Sequence, residues 1–229
     1  MKTSVIIVAA GQGERFGGEV PKPFYSLKGQ PILAHVLKAF DEVDEVEEMI
    51  VVLRHDMIGE FWENWVQKFN FKKLIKTTTG GAKRADSVWN GLQQISKEHE
   101  VVLVHDAARP LIDAALIKNV IHSAHQWGGV IPGLKIKPTV KELDSDGFIV
   151  KTHNREHLWE AQTPQGFRVQ LLNQAYVKAG ERSADATDEA YLLEKAGMRV
   201  KVIDGDPKNI KITTQEDVSF AERWIKEWK

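Results

Sequence analysis

Val5-Ile6-Ile7-Val8-Ala9-Ala10-Gly11-Gln12-Gly13-Glu14-Arg15 is the stretch that decides the architecture. An unbroken apolar run of five or more residues predicts a strand buried on both faces. Gly11 and Gly13 follow at once, where a backbone without Cβ atoms turns tightly and comes close to a bulky ligand. Free N–H groups in such a loop form a concavity for anions, and Arg15 and Lys22 add positive charge beside it. The combination suits a nucleotide polyphosphate and the negative charge that grows on phosphorus during transfer. Two glycines alone would favour a plain strand-to-helix turn, since lone glycine motifs often match by chance. The Walker loop is excluded, because Gly-Lys-Ser/Thr is absent. A dinucleotide fingerprint needs a glycine where Phe16 stands, and an acidic residue about 20 positions on, where a helical pattern begins instead.

Working outward, strand-like runs recur at Ser4–Ala9, Met49–Leu53, Val101–Val104, Gly129–Pro132 and Arg199–Ile203. Helical patterns fall near Pro31–Phe40, Met57–Asn70, Ala85–Ser96, Ala114–Trp127, Val169–Ala179 and Asp188–Ala196. A last helix runs from Gln215 to Trp228, opened by Thr214 as N-cap with Asp217 three residues later. Such alternation with short connections predicts an α/β fold: a mostly parallel, twisted sheet with helices on both faces, over one domain spanning residues 1–229. Residues 135–154 break the rhythm. Two extended segments flank Asp144-Ser145-Asp146-Gly147, which predicts a β-hairpin inserted in the core. An isolated hairpin is marginal in water, so the arm is expected to pack on something, either its own domain or, slightly favoured, a second subunit.

Composition narrows the class. With 31 basic and 32 acidic residues among 229, no overall field draws the chain to nucleic acid or membrane. The chain has no cysteine, which excludes disulfides, thiolate catalysis and cysteine-ligated zinc. Met1-Lys2-Thr3-Ser4 leads straight into the first strand, and no run has signal-peptide or transmembrane character. A soluble, cytoplasmic protein is expected.

Further candidates sit at strand ends. Val101–Val104 runs directly into His105-Asp106-Ala107-Ala108-Arg109-Pro110, which puts Asp106 at a strand terminus. There a carboxylate either holds Mg²⁺ against phosphate oxygens or merely caps a turn. Gly80-Gly81-Ala82-Lys83-Arg84-Ala85-Asp86-Ser87 is a second glycine-rich turn before a helix. It either caps that helix or uses its backbone and Ser87 to read a base edge. Other features take bland readings. The tryptophans are packing or surface aromatics. His122 and His125 lack a third ligand for zinc, and the six carboxylates of Asp41–Glu48 form a solvated connection.

Together these blocks resemble the 2-C-methyl-D-erythritol 4-phosphate cytidylyltransferase family of the non-mevalonate isoprenoid pathway. The resemblance runs through residues 9–15 with Pro21-Lys22, Gly80-Gly81 to Ser87-Val88, and His105 to Pro110. It continues through Arg155, Leu158-Trp159-Glu160-Ala161-Gln162-Thr163-Pro164-Gln165, Thr187-Asp188 and Asn209-Ile210-Lys211-Ile212-Thr213. It implies that a phosphate oxygen of methylerythritol phosphate attacks the α-phosphorus of CTP and pyrophosphate leaves, with Mg²⁺ as cofactor. Arg15 and Lys22 match the pair that steadies the transition state, and Asp106 the metal-coordinating aspartate. Ala10, Gly11, Gly13, Gly80 and Ser87 fall where CTP is held. Arg155, Lys211 and Thr187 match the grip on the attacking phosphate, with Arg155 supplied by the neighbouring subunit of a homodimer at the foot of the arm.

Two positions depart from the family pattern. Lys135-Ile136-Lys137-Pro138-Thr139 stands where a Pro-Val-x-Asp-Thr run is usual, and Pro138 is expected to stiffen an edge strand. Ala82 replaces an acidic residue after the glycine pair. The rival readings are a cytidylyltransferase for ribitol 5-phosphate or another polyol phosphate, a glycosyltransferase using Asp144-x-Asp146 or Asp204-x-Asp206, and a non-catalytic nucleotide sensor.

Overall fold

The computed structural model describes residues 2–225 apart from 12, 14, 15, 18 and 19. Arg15, expected at the site, lies outside the described residues. The chain begins with β1 (Thr3–Val8), then α1 (Ile32–Asp41), β2 (Val46–Leu53), β3 (Leu74–Thr79), α2 (Arg84–Leu92), β4 (Val101–Asp106), α3 (Ala114–Trp127) and β5 (Gly129–Lys135). It continues with β6 (Lys141–Leu143), β7 (Ile149–Thr152), β8 (Trp159–Ala161), β9 (Gln165–Arg168), α4 (Val169–Ala179), α5 (Glu189–Lys195), β10 (Lys201–Asp204) and α6 (Gln215–Trp224).

β1 lies between β2 and β4, and β3 pairs with the far side of β2; all four strands are parallel. β9 is antiparallel to both β4 and β5. β8 runs antiparallel to the end of β5, and β10 parallel to it. Successive side chains of β1 face opposite sides. Val5 and Ile7 join the core under α1 and α3, while Ile6 joins the one under α2, α4 and α5. All three are fully buried. Each such side chain contributes roughly 1.5–3 kcal/mol relative to exposure. The expected mostly parallel sheet with helices on both faces is therefore present.

Several local expectations need correction. β3, β8 and β9 were not expected, because Leu74-Ile75-Lys76-Thr77-Thr78-Thr79 and Gln165-Gly166-Phe167-Arg168 carry too few apolar side chains to signal a strand. The helix expected over 57–70 is interrupted by a π-turn at Trp62–Val66. The one expected to reach Ser96 ends at Leu92, and the last helix ends at Trp224. Its start is as expected: the Thr214 N–H donates to the Asp217 carboxylate at 2.8 Å.

The hairpin at 135–154 forms, but shorter than expected. β6 and β7 pair antiparallel and are exposed throughout. Asp144 Oδ1 accepts from the Asp146 and Phe148 N–H groups and so fixes the turn. Pro138 precedes β6 and stiffens no strand. Glu48 also corrects the reading of its acidic run. It is buried in β2, accepting hydrogen bonds from Ser4, the Ser96 backbone and hydroxyl, and Lys76. No described helix is long and apolar enough to cross a membrane.

Candidate active site

Val8 at the end of β1 is paired across the sheet with Asp106 at the end of β4. The loops that follow both strands therefore open on one edge, beyond the carboxyl ends, where ligands bind in open α/β sheets. A cleft of about 650 Å³ lies there. Ala9, Ala10, Gly11 and Gly13 line it from the first loop, and Asp106, Ala107 and Ala108 from the second. The turn before α2 adds Gly81 to Arg84 and Ser87, and Lys22, Lys211 and Thr213 close the remaining wall. Gly13 has φ +67°, in the left-handed region that favours glycine, and its carbonyl accepts from the Phe16 N–H at 2.8 Å.

Ala10, Gly81 and Ala82 line both this cleft and an adjoining hollow of about 330 Å³, and Gly80 lines the hollow with Arg54 and Asp56. A Cβ at Gly80 would come within 2.3 Å of Ala10 Cβ and 3.0 Å of Ser87 Oγ. The Ser87 hydroxyl accepts from the Gly81 N–H at 3.1 Å and donates to the Lys83 carbonyl at 3.2 Å. Both contacts lie within the turn, which shapes the cleft wall that Ser87 itself lines.

Asp106 collects the cleft's charge. Lys211 Nζ donates to Oδ2 at 2.6 Å, and Arg84 Nε and Nη2 both approach Oδ1 at 3.3 Å. Burial works to raise the Asp106 pKa, but Arg84 and Lys211 outweigh it and hold the carboxyl well below the usual carboxylate range. The loop carrying Lys211 is fixed from beneath. The Arg109 guanidinium donates to the Asn209 carbonyl at 2.7 Å, and the Ile212 N–H to the Ala108 carbonyl at 2.8 Å. Lys22 Nζ donates to the Ile212 carbonyl at 3.2 Å, which brings the first loop's cation against the same segment.

Behind Asp106 runs a buried chain of hydrogen bonds. The Asp106 N–H donates to Thr163 Oγ1 at 3.1 Å, and Thr163 Oγ1 lies 3.1 Å from His105 Nδ1. His105 Nε2 lies 3.1 Å from the Arg109 carbonyl, which can only accept. The proton therefore sits on Nε2, and Nδ1 accepts from the threonine hydroxyl. Burial pushes the His105 pKa down to about 4, so the ring is neutral near pH 7.

The other expected residues stand apart from the cleft of their own chain. Arg155 is exposed at the foot of the hairpin, donating to the Lys137 carbonyl. Thr187 is exposed in the segment leading into α5. Arg84 and Glu189 carry no site signal in the sequence. Arg84 lies inside the second glycine-rich turn, and Glu189 directly follows Thr187-Asp188, but neither spacing reveals that they meet. Among the described residues no three His, Cys, Asp or Glu gather as a metal cluster. Asp106 is the one carboxylate among the described residues that line the cleft.

The family model described as 2-C-methyl-D-erythritol 4-phosphate cytidylyltransferase matches residues 3–227. The chain belongs to this family. Relatives carrying that name include a protein of Caldanaerobacter subterraneus subsp. tengcongensis, 39% identical over 99% of this chain and 100% of its own. Another, from Alkaliphilus oremlandii, is 40% identical over 98% of this chain and 95% of its own. Among solved structures, the 4-diphosphocytidyl-2C-methyl-D-erythritol synthase of Anaerococcus prevotii superposes with a TM-score of 0.85 at 32% identity, covering 97% of this chain and 95% of that one. The family model's match spans the two strand-end loops, so the cleft lies within the matched residues.

Proposed function

We infer that this chain transfers the cytidylyl group of CTP to 2-C-methyl-D-erythritol 4-phosphate, giving 4-diphosphocytidyl-2-C-methyl-D-erythritol and pyrophosphate. The observation that carries the reading is the charge of the cleft. Among the described residues, Lys22, Lys83, Arg84 and Lys211 line it against the one carboxylate of Asp106, at the strand ends of a chain belonging to this family. A polyphosphate meets that excess of positive charge with backbone N–H groups of the first loop and the N-terminus of α2 beside it.

A phosphate oxygen of the acceptor attacks the α-phosphorus, the bond to the bridging oxygen breaks, and the electron pair leaves with pyrophosphate. The acceptor phosphate already carries a nucleophilic oxygen at neutral pH, so the chain needs no general base. Its work is positioning and charge stabilisation. Lys22 and Arg15 steady the equatorial oxygens. Ala10, Gly11, Gly13, Gly80 and Ser87 shape the nucleotide's seat, and Lys211 orients the acceptor, whereas Thr187 would reach it only if the segment leading into α5 came closer to the cleft. Mg²⁺ fits the donor set, since it keeps several waters and takes one or two carboxylates plus substrate phosphates, here Asp106. It supplies neutralising charge on the phosphates when bound.

The arm supports a homodimer. Phe148, Ile149 and Val150 leave 70%, 62% and 63% of their surfaces exposed on it, a run of apolar surface on an otherwise unsupported hairpin. Arg155 at its foot then completes the partner's site. Pyrophosphate release with CTP and Mg²⁺ tests the whole reading, with methylerythritol 4-phosphate and ribitol 5-phosphate offered separately. Release with the first alone is expected. Release with ribitol 5-phosphate alone moves the enzyme to polyol-phosphate metabolism, and silence with both overturns the transfer.

A further inference from the structure

Beneath the cleft lies a carboxylate that the transfer reaction does not use. Glu189 opens α5 and is fully buried. Arg84 Nη1 donates to both of its oxygens, at 2.7 and 2.9 Å. The opposite edge of the same guanidinium, Nε and Nη2, faces Asp106 Oδ1 at 3.3 Å. Tyr176 closes the far side of Glu189 at 3.5 Å, with its hydroxyl also on the Ala85 carbonyl at 3.1 Å. Charges thus alternate from the interior to the cleft: Glu189, Arg84, Asp106, Lys211.

A buried ion pair is weak evidence for stability, because well-packed apolar side chains of similar volume often serve as well or better. Its use is to fix geometry. A guanidinium is a rigid planar fork, so anchoring one edge orients the other. Burial works to push the Glu189 pKa up, while Arg84 pulls it back toward the charged form, so each partner needs the other.

We propose that Arg84, held from behind by Glu189, is a positioning residue for the transfer, fixing the Asp106 carboxylate that faces the cleft. With Arg84 on Oδ1, Oδ2 is the oxygen Asp106 offers to the cleft, to Lys211 or to a cation in its place. This inference rests on the cleft being the transfer site. Groups that orient a ligand from behind typically change metal affinity or activity by about 10–100-fold when removed.

The test is the double variant Arg84→Met with Glu189→Leu, which removes both charges together. It should keep its thermal midpoint, yet lose about 10–100-fold in turnover. Mg²⁺-dependent binding of a non-hydrolysable CTP analogue, measured by calorimetry, should weaken while binding without Mg²⁺ holds. Unchanged turnover and unchanged Mg²⁺-dependence in the folded double variant would overturn the proposal. If that variant does not fold, Glu189→Gln, which keeps the shape and loses the charge, is judged by the same two readouts. The calorimetric arm does not depend on the acceptor. A wild-type protein that releases no pyrophosphate therefore sinks the functional reading and leaves this one to its own measurement.

Discussion

Lys211 Nζ lies 2.6 Å from Asp106 Oδ2, so the cation assigned to the acceptor and the carboxylate assigned to the metal share one contact. Neither can be altered without disturbing the other's charge. Lys211→Ala should lower kcat/KM for the acceptor by about 10–100-fold, the range for losing a hydrogen bond to a charged group. KM for CTP should move far less. Steady-state kinetics with each substrate varied in turn checks this, and unchanged acceptor parameters would remove the assignment.

Lys22→Ala and Arg15→Met should lose turnover by about 10²–10³-fold, as removal of one well-placed transition-state donor does. CTP affinity should change much less. Single-turnover rates beside CTP binding separate the two effects, and near-normal turnover in either variant would end its catalytic role.

Gly80→Ala places a Cβ within 2.3 Å of Ala10 Cβ, where one of the two loops must give way. Overpacking of this kind typically costs about 1–3 kcal/mol. Because the strain falls on Ala10, which lines the cleft proposed for the nucleotide, KM for CTP should rise together with the loss in thermal stability. A variant with normal KM would place the nucleotide elsewhere.

Stability should fall with acidity in two stages. Unfolded, the His105 imidazole takes up a proton near pH 6.5, whereas buried it resists until about pH 4. Its contribution is fully present above pH 6.5 and is lost as pH falls to about 4, for a total of roughly 3 kcal/mol. Glu48, depressed from 4.5 to about 2 by Lys76, Ser4 and Ser96 against the opposing effect of burial, continues the decline below that. Denaturant unfolding across this range is the measurement, and His105→Asn should flatten the upper stage. An unchanged slope in that variant would show that the imidazole is not the group responsible.

If Arg155 serves the neighbouring subunit, inactive Lys22→Ala and Arg155→Ala chains should restore activity when mixed and allowed to exchange. Each hybrid dimer would contain one site with both residues intact. No restoration would return Arg155 to its own chain.

What the sequence made legible follows from the physics of each segment. β1, β2 and β4 are buried on both faces, so apolar runs such as Val101-Val102-Leu103-Val104 announce them directly. β3 and β9 hold their places through backbone pairing with Glu48 to Leu53 and with Val101 to Val104. Their own side chains gave little sign. The site divides in the same way. Gly13, Lys22, Asp106 and Lys211 stood in recognisable blocks, and the structure gathers them on one cleft. Arg84 and Glu189 are 105 positions apart, and no local pattern reports a contact that α2 and α5 create by packing on the same face.

β1 is synthesised before both of its partners, pairing on one side with β2 and on the other with β4. A growing chain therefore exposes this apolar strand until residues 46–53 and then 101–106 have been made. Such long-range parallel pairing folds slowly and leaves sticky intermediates. The central strand is thus made before either neighbour, and one of its edges stays open until residues 101–106 have been added.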